Sequence, residues 1–448
     1  MEPRMHLSLD DNFIKVNTIE KEWYNRFDVK RGLRNADGSG VVAGITNISN
    51  VHGYLMSDGD KIPDEGKLTL RGYDIVDLIG TEGAERRFCF EEVAYLLLMG
   101  ELPTKSNLEH FIAAIDEQRE LPDGFTASMI MRDTPPDVMN LLERSILNMY
   151  SYDEDAEVCS YEHEIGVAVQ LISRLPRIAV LSHYARAARF YNGSMIMHRF
   201  IPGESTAETF LSMLRPDRHY TPEEARMLDI MLCLHAEHGG GNNSTFTCRV
   251  LSSAGTDPYS AYAAAVGSLK GRKHGGANHQ VRAMHKDMKE KIADWSDEGQ
   301  VADYLRKVVR KEAFDNSGLI YGMGHAVYTK SDPRAVILKK YARELAKGTE
   351  YEAELALLES VERLTPLVFS EVKGSKKDLC ANVDMYSGFV YNMLGIPEDL
   401  FTPLFAVARM VGWAAHRFEE IAPNGRIIRP AYKTTHKTTR EYIPLEER

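Results

Sequence analysis

The segment from Leu234 to Asn278 constrains the fold more than any other part of the chain, because it carries a cluster of histidine and glycine at each end. Between the clusters, Asp257 followed by Pro258 predicts a helix start, since aspartate accepts an unpaired backbone N–H and proline suits the first helical position. Small residues then continue to Gly271 and allow close packing. Because glycine lets the backbone approach a ligand closely, the two clusters predict a site for a compact, polar, anionic molecule.

Helical patterns dominate the chain after Phe90. The clearest start is Thr221-Pro222-Glu223-Glu224, a capping box with proline at the first helical position. It leads into ARMLDIMLCLHAEH and predicts that His235 and His238 lie at the C-terminal end of a buried helix. Another helix is predicted to open at Thr134–Pro136. Further helices are predicted near residues 18–27, 164–175, 178–191, 300–314, 334–346, 350–363 and 402–420, with Pro176 ending the first of two consecutive apolar stretches.

Strand signals are nearly confined to one region near the N-terminus. GVVAGITNIS and GKLTLRG are rich in β-branched residues and flank the turn residues SDGDKIPDEG, so a small hairpin is predicted. We therefore expect a mainly α-helical protein with a small N-terminal β-hairpin.

Changes in composition predict two domains. Charged amphipathic helices begin near Asn278, and the earlier character returns near Ser387. We expect a large helical domain over residues 1–278, with an N-terminal arm over 1–39, and a small helical domain inserted over 279–386. Residues 387–448 would complete the large domain and form a C-terminal tail, which places the chemistry in a cleft between the domains.

Composition excludes several classes of partner. The net charge of -11 argues against a nucleic-acid-binding surface, which would show clustered excess lysine and arginine. The five cysteines form no CxxC pair, so neither a disulfide framework nor a zinc ribbon is indicated. The N-terminus lacks the apolar region of a secretory signal, and no uncharged apolar run reaches the length of a membrane span. We expect a soluble cytoplasmic protein without membrane partners.

Three separated motifs resemble the citrate synthase family, which includes 2-methylcitrate synthases. These are HAEHGGGN with KHGGAN, GMGHAVYTKSDPRA over residues 322–335, and NVDMYSG over residues 382–388. RGYDI, FEEVAYLLLMGELP and RIIRP extend the resemblance over most of the chain after about residue 40. It implies an all-helical, two-domain homodimer that condenses acetyl-CoA with oxaloacetate and hydrolyses citryl-CoA to citrate and CoA. It implies no metal and no redox cofactor.

The implied reaction needs one base and two hydrogen-bond donors. A base removes a proton from a weakly acidic methyl group, one donor stabilises the enolate oxygen, and a second polarises the ketone under attack. By motif match, Asp384 is the base, His274 the donor to the thioester oxygen and His325 the donor to the oxaloacetate carbonyl.

Guanidinium groups are expected to bind the dicarboxylate, because they match carboxylates in bidentate geometry. Arg334 follows Asp332-Pro333 in the first turn of a predicted helix, and Arg409 lies in the apolar stretch PLFAVARMVGWAA, where a charge needs an anionic partner. A salt bridge to a core carboxylate is the alternative for both. The resemblance identifies both as oxaloacetate ligands together with His238. It also implies that Arg429 reaches a neighbouring subunit's site, which requires at least a dimer.

The residues that bind coenzyme A are harder to assign from the resemblance to the family. Many relatives carry a basic residue four positions after the histidine of GxGH, where this chain has Thr329. The candidates to meet CoA phosphates are Arg272, Lys273, Lys330, Lys376 and Lys377, with solvated surface residues as the alternative.

Three other functions remain open at the level of sequence. A 2-methylcitrate synthase would use propionyl-CoA with the same three residues, and one methylene is worth about 1–3 kcal/mol in an apolar pocket. A metal hydrolase would use His235, His238 and His274 as ligands. A non-catalytic metabolite-binding relative would be expected to lose Asp384 or a catalytic histidine, and this chain keeps all three.

Overall fold

The computed structural model describes residues 13, 15, 17–35, 37–57, 60–80, 88–374, 378–422, 425–436 and 438–447. The chain forms two compact units. The body is Gly44–Ile427, and the terminal unit comprises Met1–Ala43 with Ile428–Arg448. In the terminal unit, helix α1 spans Lys21–Arg26, and 3-10 turns span Arg31–Leu33 and Leu445–Glu447.

The regular structure of the body is mainly α-helical, which confirms the predicted fold class. Its α-helices are α2 Ile75–Ile79, α3 Phe90–Met99, α4 Lys105–Glu117, α5 Val138–Met149, α6 Tyr161–Phe190, α7 Thr206–Leu214, α8 Pro222–Ala236, α9 Asn243–Ser252, α10 Pro258–Lys270, α11 Ala277–Lys291, α12 Glu298–Val309, α13 Pro333–Ala346, α14 Glu352–Lys373, α15 Asp384–Met393 and α16 Phe401–Glu420. A π-helical turn spans Thr126–Met131, and 3-10 turns span Tyr150–Tyr152 and Glu398–Leu400.

Two predicted helix starts are confirmed by their caps. Asp257 accepts a hydrogen bond from the backbone N–H of Ser260 at 2.8 Å and opens α10. Thr221 and Glu224 form a reciprocal capping box at the start of α8. Because α8 ends at Ala236, His235 lies in its last turn and His238 lies two residues beyond its end.

Helix α16 lies at the centre of the body. It is buried on almost every face and packs against α3, α6, α8, α9 and α10. Its Arg417 forms a fully buried ion pair with Glu164 of α6, with Nη2 2.6 Å from Oε1 and Nε 2.7 Å from Oε2. Arg409 and His416, on the same helix, are also fully buried.

The sequence prediction of two helices separated at Pro176 is wrong. One continuous helix, α6, contains this proline. Proline inside a helix costs about 3 kcal/mol, but Leu175, Pro176 and Ile178 are all buried against the core, and tertiary packing outweighs the local cost. By length and composition α6 could cross a bilayer, yet 72% of its apolar window is buried inside the body, as in a core helix.

The predicted hairpin exists, but its strands lie elsewhere in the sequence. Strands β1, Ser49–Ser57, and β2, Asp60–Leu70, are antiparallel, and the short β3, Tyr73–Asp74, pairs with the end of β2. GVVAGITNIS contributes only its last residue to β1, and most of the predicted turn SDGDKIPDEG belongs to β2. Pro63 is tolerated because it lies opposite Tyr54, at a point where β2 has a neighbour on one side only.

Candidate active site

Two of the three sequence motifs are joined by backbone pairing. Met323 and Ala381 form an isolated antiparallel bridge, and the N–H of Gly324 donates to the carbonyl of Cys380 at 2.7 Å. The side chain of Asn382 also donates to the carbonyl of Gly324 at 2.9 Å. This pairing connects the loop before His325 to the loop that starts α15.

His325 and His238 lie side by side. Their ring centroids are 5.1 Å apart at 82°, an edge-to-face arrangement. Tyr328 supports both rings, since it stacks on His325 at 4.5 Å and its hydroxyl lies 3.3 Å from Nε2 of His238. Burial, followed by the charge of Arg334, holds the pKa of His238 well below its usual range. His238 is therefore neutral at physiological pH.

The tautomer of His325 follows from its backbone contacts. The N–H groups of Val327 and Tyr328 both donate to its Nδ1, each at 3.1 Å. A nitrogen that accepts hydrogen bonds carries no proton, so the ring proton of neutral His325 is on Nε2. The sequence motif thus builds an imidazole whose Nε2–H is the donor.

His274 lies in the loop between α10 and α11, where its Nε2 is 3.0 Å from Oγ of Ser244. Oγ of Ser244 also accepts from the indole N–H of Trp413 at 3.2 Å and lies 2.9 Å from Oδ1 of Asn242. Burial, followed by the charge of Arg409, lowers the pKa of His274 to about 4. This imidazole is therefore also neutral at physiological pH.

Asp384 is the first residue of α15, and its backbone N–H donates to Oδ1 of Asn382 at 3.0 Å. Burial raises the pKa of its carboxyl to about 6, with Arg334 opposing the shift and Asp332 adding to it. The side chain is partly accessible to solvent. A carboxyl with this pKa is ionised at neutral pH and accepts protons more readily than an ordinary aspartate.

Two buried guanidinium groups contribute positive charge to this region. Arg334 makes a bidentate contact with Asp332, at 3.0 and 2.8 Å, and its Cζ lies 5.9 Å from the centre of the Tyr328 ring. Nε of Arg409 donates to the carbonyl of His235 at 2.6 Å, and its Cζ lies 4.7 Å from the centre of the Phe405 ring.

The two terminal nitrogens of Arg409 distinguish it from an ordinary core arginine. The side chain is fully buried, yet neither Nη1 nor Nη2 has a hydrogen-bond partner within the described parts of the chain. Burial lowers its pKa to about 10, so the group stays charged. An unpaired buried charge is costly, and a bound carboxylate would satisfy it in bidentate geometry.

The hairpin clamps the segment that follows His325, a contact that the sequence did not reveal. The hydroxyl of Thr329 donates to the carbonyl of Gly53 at the bulge of β1 and accepts the backbone N–H of Asp64 at 3.2 Å. A Cβ at Gly53 would lie 2.6 Å from Cα of Tyr328, and one at Gly66 would lie 2.0 Å from the carbonyl oxygen of Ser331. Thr329 thus joins the hairpin to the segment that follows His325.

The remaining predicted site residues lie outside this cluster. Arg272, Lys273 and Lys330 are exposed, and Lys376 and Lys377 fall outside the described residues. Arg429 is exposed in the terminal unit, whereas the other described site residues belong to the body. Their contacts with CoA or with a neighbouring subunit remain predictions.

The three histidines of the hydrolase hypothesis do not form a metal site. Within the described ranges, the trio whose ligand atoms come close enough for one ion is a buried one, formed by Cys89 at the start of α3 with Asp229 and Cys233 of α8. Asp229 already accepts the backbone N–H of Cys89 at 2.8 Å and of Phe90 at 3.0 Å. The donor geometry therefore gives no support to a histidine-ligated metal hydrolase.

The chain is similar to known proteins over nearly its whole length. The family profile described as "Citrate synthase, C-terminal domain" matches residues 36–431. The citrate synthase of Haloferax volcanii is 34% identical over 94% of this chain and 99% of its own length, and 2-methylcitrate synthase 1 of Corynebacterium glutamicum is 32% identical over 94% and 98%. A citrate synthase from Thermoplasma acidophilum, solved in ternary complex with carboxymethyl coenzyme A and oxaloacetate, is 27% identical with a TM-score of 0.75 over 93% of this chain and 99% of that one. The chain belongs to the citrate synthase family.

Proposed function

We propose that this enzyme condenses acetyl-CoA with oxaloacetate and hydrolyses the resulting citryl-CoA to citrate and CoA. The observation that carries the proposal is the buried guanidinium of Arg409, whose terminal nitrogens have no partner among the described residues and lie in a region of neutral histidines. This environment suits a small dianion with a neutral carbonyl. The complex of the Thermoplasma acidophilum relative with oxaloacetate and a CoA analogue supports the choice of substrates.

In the proposed first step, Asp384 takes a proton from the methyl group of acetyl-CoA while His274 donates a hydrogen bond to the thioester oxygen. Ser244 has one hydroxyl proton, which Oδ1 of Asn242 accepts at 2.9 Å; when that hydroxyl turns to donate to Nε2 of His274 instead, the ring proton lies on Nδ1 and serves as this donor. A neutral imidazole N–H suits the enolate oxygen better than an imidazolium would, because it stabilises the developing charge without transferring its proton.

In the second step, the enolate carbon attacks the ketone carbon of oxaloacetate. The new C–C bond forms as the ketone oxygen takes up a proton from Nε2 of His325, and the proton released when the thioester is later hydrolysed restores the ring. Arg334, Arg409 and His238 would hold the two carboxylates. Water then attacks the thioester carbon of citryl-CoA, and the CoA thiol leaves together with citrate.

The second candidate is 2-methylcitrate synthase. The two Corynebacterium glutamicum relatives named 2-methylcitrate synthase match 94% of this chain, the same share as the Haloferax volcanii citrate synthase. Propionyl-CoA would react through the same three residues. Steady-state release of free CoA thiol, with oxaloacetate and either acyl-CoA, separates the two. A higher kcat/KM with acetyl-CoA supports citrate synthase, a higher value with propionyl-CoA supports the alternative, and no oxaloacetate-dependent release with either refutes both.

We further propose that residues 279–386 act as a small domain that closes on the site after oxaloacetate binds. Support comes from the division of site residues, since His325, Arg334 and Asp384 belong to this segment and His238, His274 and Arg409 do not. Closure would exclude water until condensation is complete.

We also propose a cytoplasmic homodimer that needs no cofactor, in which Arg429 completes the neighbouring site, and light scattering with an Arg429→Gln variant would test this assembly.

A further inference from the structure

Three residues of α16 form a buried line behind the proposed substrate site. Arg409, Gly412 and His416 occupy positions i, i+3 and i+7, which lie on one face of a helix. Glu237, immediately before His238, packs against this line. A Cβ at Gly412 would lie 2.4 Å from Oε2 of Glu237 and 3.3 Å from Cδ of Arg409. The carboxylate of Glu237 and Cδ of Arg409 therefore both lie next to Gly412.

The tautomer of His416 follows from its contact with Arg249. Nε and Nη2 of Arg249 lie 3.1 and 2.7 Å from Nδ1 of His416. A guanidinium has no acceptor, so Nδ1 must accept, and the ring proton is on Nε2. Nε2 then donates to Oε1 of Glu237 at 2.9 Å. The charge of Arg249 is balanced on its other side by Glu419 and Glu420.

The two oxygens of Glu237 have unequal surroundings. Oε1 accepts from His416, from the hydroxyl of Ser49 at 2.8 Å and from the backbone N–H of Gly239. Oε2 has no hydrogen-bond partner in the part of the chain that the structure describes, and the residue is fully buried. Three donors on one oxygen fix the orientation of the carboxylate.

This orientation matters because Glu237 could otherwise pair with Arg409. A bidentate arginine–carboxylate pair is among the strongest side-chain contacts, and it would occupy the terminal nitrogens that the proposed substrate needs. In the structure, Glu237 lies close enough to offset the charge of Arg409, yet it makes no hydrogen bond to Nη1 or Nη2. Glu237 therefore offsets the positive charge of Arg409, while Nη1 and Nη2 of Arg409 stay available to a substrate carboxylate.

We propose that His416 is a positioning residue for oxaloacetate. Its Nε2–H holds Glu237 in an orientation that offsets the charge of Arg409 without forming a hydrogen bond to Nη1 or Nη2 of that arginine. The inference rests on the proposed function, because it takes Arg409 as a ligand of the substrate carboxylate. Without this donor, Glu237 turns toward Arg409 and competes directly with oxaloacetate.

Two substitutions at His416 separate its two nitrogens. His416→Asn keeps an acceptor near the position of Nδ1 for Arg249 and loses the donor to Glu237, whereas His416→Gln keeps a donor near the position of Nε2. We expect His416→Asn to weaken oxaloacetate binding, measured by calorimetry without acyl-CoA, by about 10–100-fold, the value of one hydrogen bond to a charged group. KM for oxaloacetate should rise in parallel with a smaller change in kcat, and His416→Gln should restore binding to within about threefold of wild type.

A matched control is His285→Asn in α11, which also replaces a fully buried imidazole. It should lower the unfolding midpoint without changing the oxaloacetate Kd. If His416→Asn behaves in the same way, or if His416→Gln binds as weakly as His416→Asn, the positioning role is refuted. If His416→Asn does not fold, Ser49→Ala removes another donor to Oε1 and should weaken binding in the same direction, and unchanged binding refutes the role. Wild-type protein that neither binds oxaloacetate nor releases CoA would instead overturn the proposed function itself.

Discussion

Replacing Asp384 with asparagine should make the protein more stable while removing its activity. Burial raises the pKa of this carboxyl from 3.8 to about 6, so the folded state binds the proton more tightly than the unfolded state. Below the unfolded pKa of 3.8 the carboxyl is neutral in both states and costs no stability. The free energy of unfolding then falls as pH rises from 3.8 to about 6, and the loss is complete above that. A shift of about two units corresponds to about 3 kcal/mol at pH 8, and partial exposure of the side chain reduces this to about 1–2 kcal/mol.

The catalytic effect has the opposite sign. Asparagine cannot accept the methyl proton, so kcat should fall by about 10²–10⁴-fold, the usual contribution of a general base. Binding of oxaloacetate alone should persist, because the proposed carboxylate ligands Arg334 and Arg409 are unchanged. A variant that is more stable, binds the first substrate and does not turn over is the expected signature of a base held in an unfavourable environment.

The assay compares guanidinium chloride unfolding of wild type and Asp384→Asn at pH 8 and pH 5, together with CoA thiol release. The stability gain at pH 8 should shrink to roughly half at pH 5, where much of the folded wild type is protonated. Asp123→Asn, which changes an exposed carboxyl, should alter stability by less than about 0.5 kcal/mol at either pH. A loss of stability at pH 8, or a fall in kcat of less than about tenfold, would refute the reasoning.

Four further outcomes are expected. The pH profile of kcat/KM should have an acid limb near the pKa of about 6 for Asp384, and a limb near pH 4 would contradict this assignment. Arg409→Gln should abolish the rise in thermal midpoint that oxaloacetate produces in wild type, with little loss of stability without ligand; a retained rise would exclude this ligand role. Arg417→Met should cost about 3–5 kcal/mol, because it leaves Glu164 buried and unpaired, while the oxaloacetate Kd stays at the wild-type value. Thr329→Val should lower stability by about 1–3 kcal/mol and reduce kcat, whereas Thr329→Ser should match wild type in both measurements.

Much of the helical fold was predictable because helix starts are encoded locally. Asp257-Pro258 and Thr221-Pro222 carry their caps within four residues, and the structure confirms both. Pro176 was misread for the complementary reason, since the packing that keeps it inside α6 comes from distant elements. The same limit applies to the hairpin, because Gly53 and Asp64 of its strands contact the distant Thr329, which has no local sequence signature.

The candidate site was predictable as a set of motifs but not as an arrangement. Sequence alone suggested that Arg409 needed an anionic partner, and the structure shows that no described side chain supplies one by hydrogen bonding. The contact of His416 with Glu237 joins residues 179 positions apart and has no local signature. Neither residue was singled out from the sequence, although Glu237 lies within the first histidine motif.

The close approach of the hairpin to the segment after His325 also limits how this enzyme can vary. Gly53 and Gly66 face backbone atoms at 2.6 and 2.0 Å from where a Cβ would stand, so any other residue there must push the two chain segments apart. Libraries that randomise the hairpin to alter acyl-CoA preference should therefore keep both glycines. Chimaeric proteins should exchange the hairpin and residues 328–331 together, because the hairpin of one relative would not pack closely against the corresponding segment of another.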